Sequence, residues 1–292
     1  MENEIQKIET CPACLASSWH KMGDKSGYSL YRCQSCKSIS VLPVPALNPK
    51  LYGENYFCAA KGDCGYVNYD SDKEAMRGEL VKDLAEIVTH CPEKGKLFDV
   101  GAATGYFISL ARDADWQVAG VELSSHAASV AREKGLDVLT GMLHDMTRSE
   151  GEFDVVTASD VIEHMPDPNH DASVISRMTK KGGLVVIVTP DASSLYAKVR
   201  GISWHLLVPP EHIHCFSRTG IRKFLDRHGY EILVMHAARK KFTLSYTLHV
   251  ISRASGLKFL NRLSLFLAGK KFGNLPIPLN VRDNMFVIAK KK

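Results

Sequence analysis

The chain has no apolar stretch approaching the roughly eighteen residues that a helix needs to span a bilayer, which argues against a membrane-spanning protein. Its first residues, MENEIQKIET, carry acids and lack the apolar core of a secretory signal. We therefore expect a cytoplasmic protein with reduced thiols. The 292 residues, 45% of them hydrophobic and 24% charged, suit one large or two unequal globular domains.

A dinucleotide-binding fingerprint is also missing. The segment nearest to it, 96–110, reads KLFDVGAATGYFISL: an apolar strand, a turn of small residues and an apolar-periodic helix. The fingerprint G-x-G-x-x-G needs a middle glycine so that the backbone can touch a pyrophosphate, and here that position is Ala103. S-adenosylmethionine has no pyrophosphate, so the turn favours a methyl donor over a nicotinamide cofactor. A βα turn without any ligand is the remaining alternative.

The residues around this turn indicate a nucleoside cofactor. Gly101 and Gly105 lack a Cβ, so the backbone can bend sharply and approach a ligand closely. The following helix presents unpaired N–H groups and its positive dipole end there, and Asp99 adds a carboxylate beside the opening. A second strand, 117–121, leads into Glu122, seventeen positions after Gly105, where a carboxylate can bind both hydroxyls of a ribose.

Four of the eight cysteines form two C-x-x-C pairs separated by eighteen residues: Cys11, Cys14, Cys33 and Cys36. Such pairs are typical of tetrahedral zinc, and four protein ligands leave no open position, so the zinc should be structural. An iron–sulfur cluster or redox dithiols are the alternatives. Cys58 and Cys64 could be extra ligands, although unpaired thiols are the simpler interpretation.

The cysteine pattern predicts a zinc ribbon over residues 1–45. The few basic residues between the two pairs do not make a phosphate-binding stripe, so we expect no nucleic-acid contact and a docked module that helps to wall the substrate site. Residues 46–90 read as an aromatic-rich connector and a helix. The connector's aromatic side chains either line the pocket or pack the connector itself.

Residues 91–292 read as alternating strands and helices. After Glu122, strands are predicted near 137–140, 153–158, 184–189, 230–236 and 284–289, and helices near 124–134, 171–179 and 219–228. Alternation of this kind, ending in a strand pair, predicts a doubly wound α/β sheet.

Five segments in order strengthen this interpretation: FDVGAATGYF (98–107), VAGVELSSHAASVAR (118–132), FDVVTASDVIEHMPDP (153–168), GGLVVIVTP (182–190) and PPEHIHCFSRTGIRKFL (209–225). Together they resemble the class I S-adenosylmethionine-dependent methyltransferases, in particular the branch with ubiquinone-biosynthesis O-methyltransferases and many sugar and natural-product methyltransferases. The resemblance implies a Rossmann-like seven-stranded sheet, here with a small amino-terminal zinc ribbon and a helical carboxy-terminal cap inserted at about 241–280.

The resemblance also implies the cofactor site. The methionine part of S-adenosylmethionine would lie at the glycine turn, the ribose at Glu122, the adenine beside 141–143, and the reacting methyl group near Ser159 and Asp160. The residues implied to bind the cofactor are Asp99, Gly101, Ala102, Gly105, Glu122, Leu123, Met142, Leu143 and Ser159.

Two clusters of polar residues could assist methyl transfer. The first is Asp160, Glu163 and His164, and the second is the segment 211–216 (EHIHCF), which contains His214. Glutamate and histidine with a distant histidine suit either a histidine general base or a site for a divalent cation. The spacing resembles the metal site of small-RNA 2′-O-methyltransferases and ubiquinone-pathway enzymes, which implies that Asp160, Glu163, His164 and His214 hold magnesium; Asp160 stands where that pattern has glutamate. The alternative is that the pair at 163–164 only caps the following segment.

No acidic residue occurs from Ile232 to Arg282, where nine basic residues alternate with apolar ones at helical spacing. Three interpretations remain open for this cap: a basic outer face over a packed apolar one, a lid for an anionic acceptor such as a nucleotide- or phospholipid-linked sugar, or contact with an anionic membrane surface.

The sequence thus predicts an S-adenosylmethionine-dependent methyltransferase that acts on oxygen of a small-molecule, sugar or lipid-linked acceptor, with structural zinc and optional magnesium. An RNA methyltransferase, or a nucleic-acid-binding or scaffold protein with an inactive cofactor fold, are the alternatives.

Overall fold

A computed structural model describes residues 10–57, 69–146, 150–240, 242–255, 257–267, 270, 272–273, 275–277 and 281–292. The strands are β1 (Trp19–Lys25), β2 (Tyr28–Cys33), β3 (Ile39–Val41), β4 (Lys96–Val100), β5 (Gln117–Glu122), β6 (Asp137–Thr140), β7 (Phe153–Ser159), β8 (Thr179–Pro190), β9 (His214–Cys215), β10 (Tyr230–Ala237), β11 (Phe242–Thr243), β12 (Pro276–Ile277) and β13 (Asn284–Lys291). Cys58 and Cys64, considered above as extra ligands, lie outside the described residues.

The helices are α1 (Glu54–Phe57), α2 (Tyr69–Ala75), α3 (Arg77–His90), α4 (Tyr106–Asp113), α5 (Ser125–Glu133), α6 (Pro168–Met178), α7 (Leu195–Arg200), α8 (Arg218–Arg227), α9 (Leu244–Ser255) and α10 (Lys258–Leu267). Side-chain caps begin several of them, as the sequence indicates for α5: the Ser124 hydroxyl accepts from the amide of Ala127.

The main sheet has seven strands in the order β10-β13-β8-β7-β4-β5-β6, so the predicted doubly wound α/β fold is confirmed. Only β13 runs antiparallel, pairing with β8 on one side and β10 on the other. The central strands are apolar without a break because helices cover both faces of the sheet. In β4, for example, only the first of the five residues is exposed.

The topology decides where a ligand can bind. Strand β4 has β5 on one side and β7 on the other, all three parallel, and the chain leaves β4 and β7 in opposite directions along the sheet. A crevice therefore opens at the carboxyl ends of these strands, where open α/β sheets bind their ligands.

The amino-terminal strands form a second sheet, in the order β1-β2-β3-β9. Its fourth strand comes from far along the chain: Ile39 pairs with Cys215 and Ser40 with His214. The amide of Ser217 also donates to the hydroxyl of Ser38 over 3.1 Å. The cysteine-rich unit, residues 10–45, is thus joined to the large domain by a continuous sheet.

The cap between β10 and β13 is a pair of helices, α9 and α10, held at its base by the short strands β11 and β12. Several of its apolar side chains are exposed, among them Phe259, Phe266 and Phe272 at 61%, 64% and 72%. No helix within the described ranges is long and apolar enough to cross a membrane. Two of the cap's basic residues, Lys241 and Lys271, lie outside those ranges.

Candidate active site

A cleft of about 880 Å³ opens at the carboxyl ends of β4, β5 and β7. Small-molecule sites occupy roughly 300–1,000 Å³, so this volume has room for a nucleoside cofactor and a second molecule. The large domain provides the floor, the segment 203–212 one wall, and the connector before α2 another. Lys25, the last residue of β1, and Ser26 in the turn after it complete the rim.

The turn after β4 can be formed only by glycine at two positions. Gly101 has φ +71° and Gly105 has φ +79°, in the left-handed region that side chains disfavour. A Cβ on Gly101 would lie 2.5 Å from Cγ2 of Val161, and one on Gly105 would lie 2.3 Å from Cδ1 of Leu136. At Gly101 the turn therefore brings bare backbone to the cleft, whereas Gly105 packs against Leu136 and Ala131.

Glu122, at the end of β5, is oriented by the two βα turns on either side of it. Its Oε2 accepts from the amide of Ala103 over 2.8 Å, and its Oε1 accepts from the amide of Ser124 over 2.7 Å. The side chain lines the cleft while being largely buried, and burial raises the pKa of Glu122. A carboxylate fixed in this way can accept hydrogen bonds from a diol with little loss of entropy.

Asp99 is in the sheet next to Glu122, and it does not line the cleft directly. Its carboxylate accepts from the hydroxyl of Thr157 over 2.5 Å. Burial raises the pKa of Asp99 to about 7, and the charge of Glu122 acts in the same direction. The side chain therefore links β4 to β7 beneath the cleft.

The other predicted cofactor residues divide into two groups. Those that line the cleft are Gly101, Glu122, Leu123, Met142, Leu143 and Ser159. Ala102 and Gly105, by contrast, form the back of the turn, where Gly105 is the residue before α4. The cleft lining is thus continuous from the turn to the end of β7.

His164 lies on the wall of this cleft, in a short turn of 3-10 helix after β7. Its Nδ1 is 2.8 Å from the carbonyl oxygen of Glu211 and 3.1 Å from the hydroxyl of Tyr52. Because a carbonyl can only accept, Nδ1 carries the proton and Nε2 keeps a lone pair. Burial lowers the pKa of His164 to about 4, so the ring is neutral near pH 7.

His212 is the second imidazole at this point, with its ring centre 4.7 Å from that of His164 in an edge-to-face contact. Its Nδ1 donates to the carbonyl of Leu206 over 2.6 Å, so its Nε2 also keeps a lone pair. Burial, and next the neighbouring His164, lower the pKa of His212 to about 3. Two neutral imidazoles therefore lie side by side in the cleft.

Glu163 completes a group of three. One ligand atom each from Glu163, His164 and His212 can lie within 4.8 Å of the others. The Glu163 Oε2 accepts from Thr189 over 2.9 Å, whereas its Oε1 is buried without a hydrogen-bond partner. Burial, together with the charge of Asp160, raises the pKa of Glu163 to about 8. A cation bound here would favour the ionised carboxylate.

Asp160 and His214, which were predicted to act with Glu163 and His164, do not belong to this group of three. Asp160 lines the cleft, but its Oδ1 is 2.8 Å from Nζ of Lys240. Burial would raise the pKa of Asp160, but the charges of Lys240 and Lys73 outweigh this effect and lower it. His214 lies in β9, where its Nδ1 is 2.9 Å from the hydroxyl of Ser40. It is buried in the joint with the cysteine-rich unit, so the structure brings His212, rather than His214, to Glu163 and His164.

The connector contributes side chains whose role the sequence left open. Tyr52, Tyr56, Phe57 and Tyr69 all line the cleft, and each ring contacts the next edge to face at centroid distances of 5.2–5.6 Å. Of the two alternatives for these residues, the structure shows lining and packing together. Tyr52 also touches His164, a link that its position in the sequence does not reveal.

The cysteine-rich unit brings its four predicted ligands together. The Sγ atoms of Cys11, Cys14, Cys33 and Cys36 all lie within 4.8 Å of one another. The Sγ–Sγ distance is 3.6 Å both for Cys11 and Cys36 and for Cys14 and Cys33. A tetrahedral zinc with Zn–S bonds of about 2.3 Å needs sulfurs about 3.8 Å apart. The four thiols therefore have the spacing that such an ion requires.

A comparison with known protein families identifies the class. Residues 73–234, more than half of the chain, match a family model described as a methyltransferase domain. The chain therefore belongs to the methyltransferase domain family, whose cofactor is S-adenosylmethionine. This confirms the predicted class I methyltransferase domain.

Curated relatives share part of this region. The ubiquinone biosynthesis O-methyltransferase of Thiobacillus denitrificans is 31% identical over 145 residues, which cover 46% of this chain and 62% of the relative. The enzyme of the same name from Burkholderia multivorans is 29% identical over 184 residues, covering 56% and 78%. The chain thus spans about three fifths of the length of relatives such as the T. denitrificans enzyme.

Solved structures support the fold. A protein from Bacillus halodurans, proposed to be a methyltransferase, superposes with a TM-score of 0.52 at 20% identity, covering 72% of this chain and 99% of that one. The YcgJ protein of Bacillus subtilis gives 0.50 at 16% identity, covering 73% and 98%. At such identities the likeness concerns the fold alone.

Proposed function

We propose that the protein transfers a methyl group from S-adenosylmethionine to a hydroxyl group of a small-molecule acceptor. The observation that carries the proposal is one continuous cleft with Glu122 in its lining and the paired imidazoles of His164 and His212 on its wall. The match to the methyltransferase domain family and the relatives named as O-methyltransferases support the reaction type.

When bound, S-adenosylmethionine supplies an electrophilic methyl group on a positively charged sulfur. Gly101 and Glu122 would hold its methionine and ribose parts, with Met142 and Leu143 beside the adenine. The remaining task for the protein is to align the acceptor and to remove its hydroxyl proton. Tyr52 and the connector rings would exclude water from this end of the cleft.

His164 is the residue best arranged to take the proton. Its Nδ1–H is fixed by the Glu211 carbonyl, which leaves Nε2 as the basic atom in the cleft. A histidine oriented in this way acts as a general base, and loss of such help typically lowers turnover by two to four orders of magnitude. A pKa of about 4 keeps the ring neutral at physiological pH, although it also makes the ring a weak base.

That weakness favours a divalent cation at the same place. Glu163, His164 and His212 offer a carboxylate oxygen and two imidazole nitrogens, a donor set that suits magnesium less well than a transition ion but fits either. The orphaned Oε1 of Glu163 is the observation that supports a bound ion, since a buried oxygen without a partner is costly. Such an ion would lower the pKa of the acceptor hydroxyl.

The test is methyl transfer from labelled S-adenosylmethionine to fractionated small molecules. His164→Ala and His212→Ala should each lower turnover at least a hundredfold, whereas the exposed His90→Ala should leave it unchanged. Wild-type rates in both site variants would refute the assignment. Label recovered in RNA instead would make the acceptor a nucleic acid.

A chelator experiment separates the two mechanisms. If a cation acts at Glu163, brief treatment with a chelator abolishes activity and magnesium or manganese restores it. Zinc content must be measured in the same samples, so that loss of the ion proposed for the cysteines is not mistaken for loss of the catalytic one. Activity unaffected by chelation would favour His164 as a base without metal.

We also propose that Cys11, Cys14, Cys33 and Cys36 hold one structural zinc. The sulfur spacing supports this ion, and four thiolates would complete its tetrahedral coordination, leaving no position for substrate. The fold offers a reason to keep the ion, because Cys11, Cys33 and Cys36 are buried in the same apolar cluster as Phe216 and Ile221 of the large domain.

The cap is the part of the surface that we propose to contact an anionic membrane. Exposed Phe259 and Phe266 lie on α10 with the exposed cation Arg262, and no acidic residue opposes them from 232 to 282. Flotation with vesicles containing phosphatidylglycerol should recover the wild type at low salt, but not Phe259→Ser combined with Phe266→Ser. Leu195→Ser, at a still more exposed apolar residue on α7, is the control. Absence of the wild type from the floated fraction would leave two interpretations of the cap: a lid for an anionic acceptor, or a basic outer face over a packed apolar one.

A further inference from the structure

Helix α8 of the large domain lies directly against both C-x-x-C turns of the cysteine-rich unit, 11–14 and 33–36. Before its first residue, the hydroxyl of Ser217 donates to the carbonyl of Cys36 in the second turn. At its last residue, Nη2 of Arg227 donates to the carbonyl of Pro12 in the first turn over 2.8 Å. One helix therefore contacts the backbone of both turns that carry the four cysteines.

The hydroxyl of Ser38 lies between this helix and one of the four sulfurs. Its oxygen is 3.3 Å from Sγ of Cys36 and accepts from the amide of Ser217 over 3.1 Å. Because the amide supplies the proton for that second contact, the hydroxyl's own proton is available for the sulfur. Ser38 is only 3% exposed, and Ser217 and Cys36 are still more buried. The sulfur therefore depends on donors from the protein.

The close approach of helix and turn depends on a glycine in the first turn of α8. A Cβ on Gly220 would lie 2.1 Å from Oγ of Ser38 and 3.2 Å from Cβ of Ala13, in the first C-x-x-C turn. A larger residue would therefore push α8 away from the cysteine-rich unit. Glycine inside a helix is less stable than alanine, so the contact with Ser38 accounts for its presence here.

A zinc ion held by four cysteines would make these contacts electrostatically important. Each ligand is a thiolate, so one Zn²⁺ and four ligands together carry a net charge of about −2. Buried charge of this kind needs hydrogen-bond donors, and a thiolate, which has no proton, can only accept. The hydroxyl of Ser38 would then donate to Cys36, with the amide of Ser217 fixing the orientation of that hydroxyl.

We propose that Ser38 is a positioning residue of the zinc site, and that Ser217 and Gly220 make the large domain part of that site. The inference rests on the zinc proposed above for the four cysteines. It adds that zinc affinity depends on residues far along the chain from them. By linkage, an ion that binds more tightly when α8 is docked also stabilises the docking. Zinc would thereby stabilise the pairing of β9 with β3, next to the loop that carries His212.

The first experiment measures metal affinity instead of turnover, by titrating the zinc-loaded protein with a chromophoric chelator. Ser38→Ala and Gly220→Ala should each weaken zinc binding by roughly ten- to a hundredfold, the usual effect of losing a partner of a metal ligand. The matched controls are Ser35→Ala, at an exposed hydroxyl in the second C-x-x-C turn, and Thr219→Ala, at an exposed residue beside Gly220. Both controls should bind zinc like the wild type.

Cobalt(II) in place of zinc separates hydrogen bonding from packing. A hydrogen bond lowers the energy of the thiolate lone pairs, so its loss in Ser38→Ala should move the sulfur-to-cobalt charge-transfer band to longer wavelength. Ser35→Ala should leave the band where it is in the wild type. Weaker binding by Ser38→Ala with an unmoved band would show a packing effect only, and would overturn the role assigned to the hydroxyl.

The outcomes keep this inference apart from the zinc proposal on which it rests. Wild-type zinc affinity in both Ser38→Ala and Gly220→Ala would overturn the inference and leave the zinc site standing, and equal weakening in the two controls would overturn it as well. A wild-type protein that binds neither zinc nor cobalt would instead contradict the zinc proposal. Circular dichroism checks that each variant is folded. Should Gly220→Ala unfold, Ser38→Ala decides, because it removes a single oxygen.

Discussion

Replacement of Glu122 by glutamine tests the cofactor site most directly, because the two side chains have almost the same shape. Each oxygen of the Glu122 carboxylate accepts one backbone N–H, from Ala103 at 2.8 Å and from Ser124 at 2.7 Å. A glutamine has one oxygen and one NH₂ group. In either orientation its NH₂ group would therefore point at a backbone donor, and one buried N–H would lose its acceptor.

The magnitudes follow from this geometry. A buried donor without an acceptor costs about 1–3 kcal/mol of stability. In a domain slightly smaller than this chain, each kcal/mol lost lowers the melting temperature by roughly 2–4 °C. The ribose would also lose a charged acceptor for one of its hydroxyls. We expect the dissociation constant for S-adenosylhomocysteine to rise about ten- to a hundredfold.

Two measurements check the two effects separately: thermal unfolding of the protein without cofactor, and calorimetric titration with S-adenosylhomocysteine. Glu133→Gln, at an exposed acid on α5, should change neither. Unchanged affinity in Glu122→Gln would refute the ribose assignment. Unchanged stability would refute the two backbone hydrogen bonds.

Three further predictions concern other parts of the molecule. Gly101→Ala should lower stability by at least about 1–2 kcal/mol, the cost of a left-handed alanine, and weaken cofactor binding, because its Cβ would lie 2.5 Å from Val161; equal urea midpoints for variant and wild type would contradict this. Metal analysis should find one zinc per chain in the wild type and less in Cys33→Ser, with a lower melting temperature, and a full complement in the variant would remove the zinc proposal. Asp99→Asn should gain stability relative to the wild type by about 1.4 kcal/mol per pH unit as pH rises from 5 to 7. The native Asp99 carboxyl, with its pKa raised to about 7, holds a proton that the unfolded chain releases near pH 4, so rising pH destabilises only the wild type; a difference in urea unfolding free energy that is independent of pH would be the contrary result.

Local sequence determined most of the fold. The turn at 101–105 was predictable because glycine adopts the positive φ values of positions 101 and 105 without strain. Strand β4 was predictable because a strand covered on both faces must be apolar throughout. The position of the Glu122 carboxylate beside the turn followed from the end of the second strand and from its distance along the chain from Gly105. Each of these features depends on residues within about twenty positions of one another.

The group of Glu163, His164 and His212 was harder to predict, because it depends on contacts that the sequence does not encode locally. His212 and His214 are two residues apart, and the resemblance to the metal site of other methyltransferases selected His214. The choice is made by the pairing of β9 with β3, which commits His214 to the hydroxyl of Ser40. The single helix predicted within residues 46–90 is likewise two helices, α2 and α3, divided at Met76, whose φ of −94° and ψ of −3° depart from helical values.

The same strand pairing limits how the protein can be divided. A chain shortened to begin after residue 45 would keep every element of the large sheet, yet its β9 would face solvent with the partner groups of Ile39 and Ser40 gone. The loop that carries His212 ends immediately before that strand, so trimming should lower turnover even where cofactor affinity survives. A chimaera that replaces the cysteine-rich unit should therefore replace the segment 205–217 together with it.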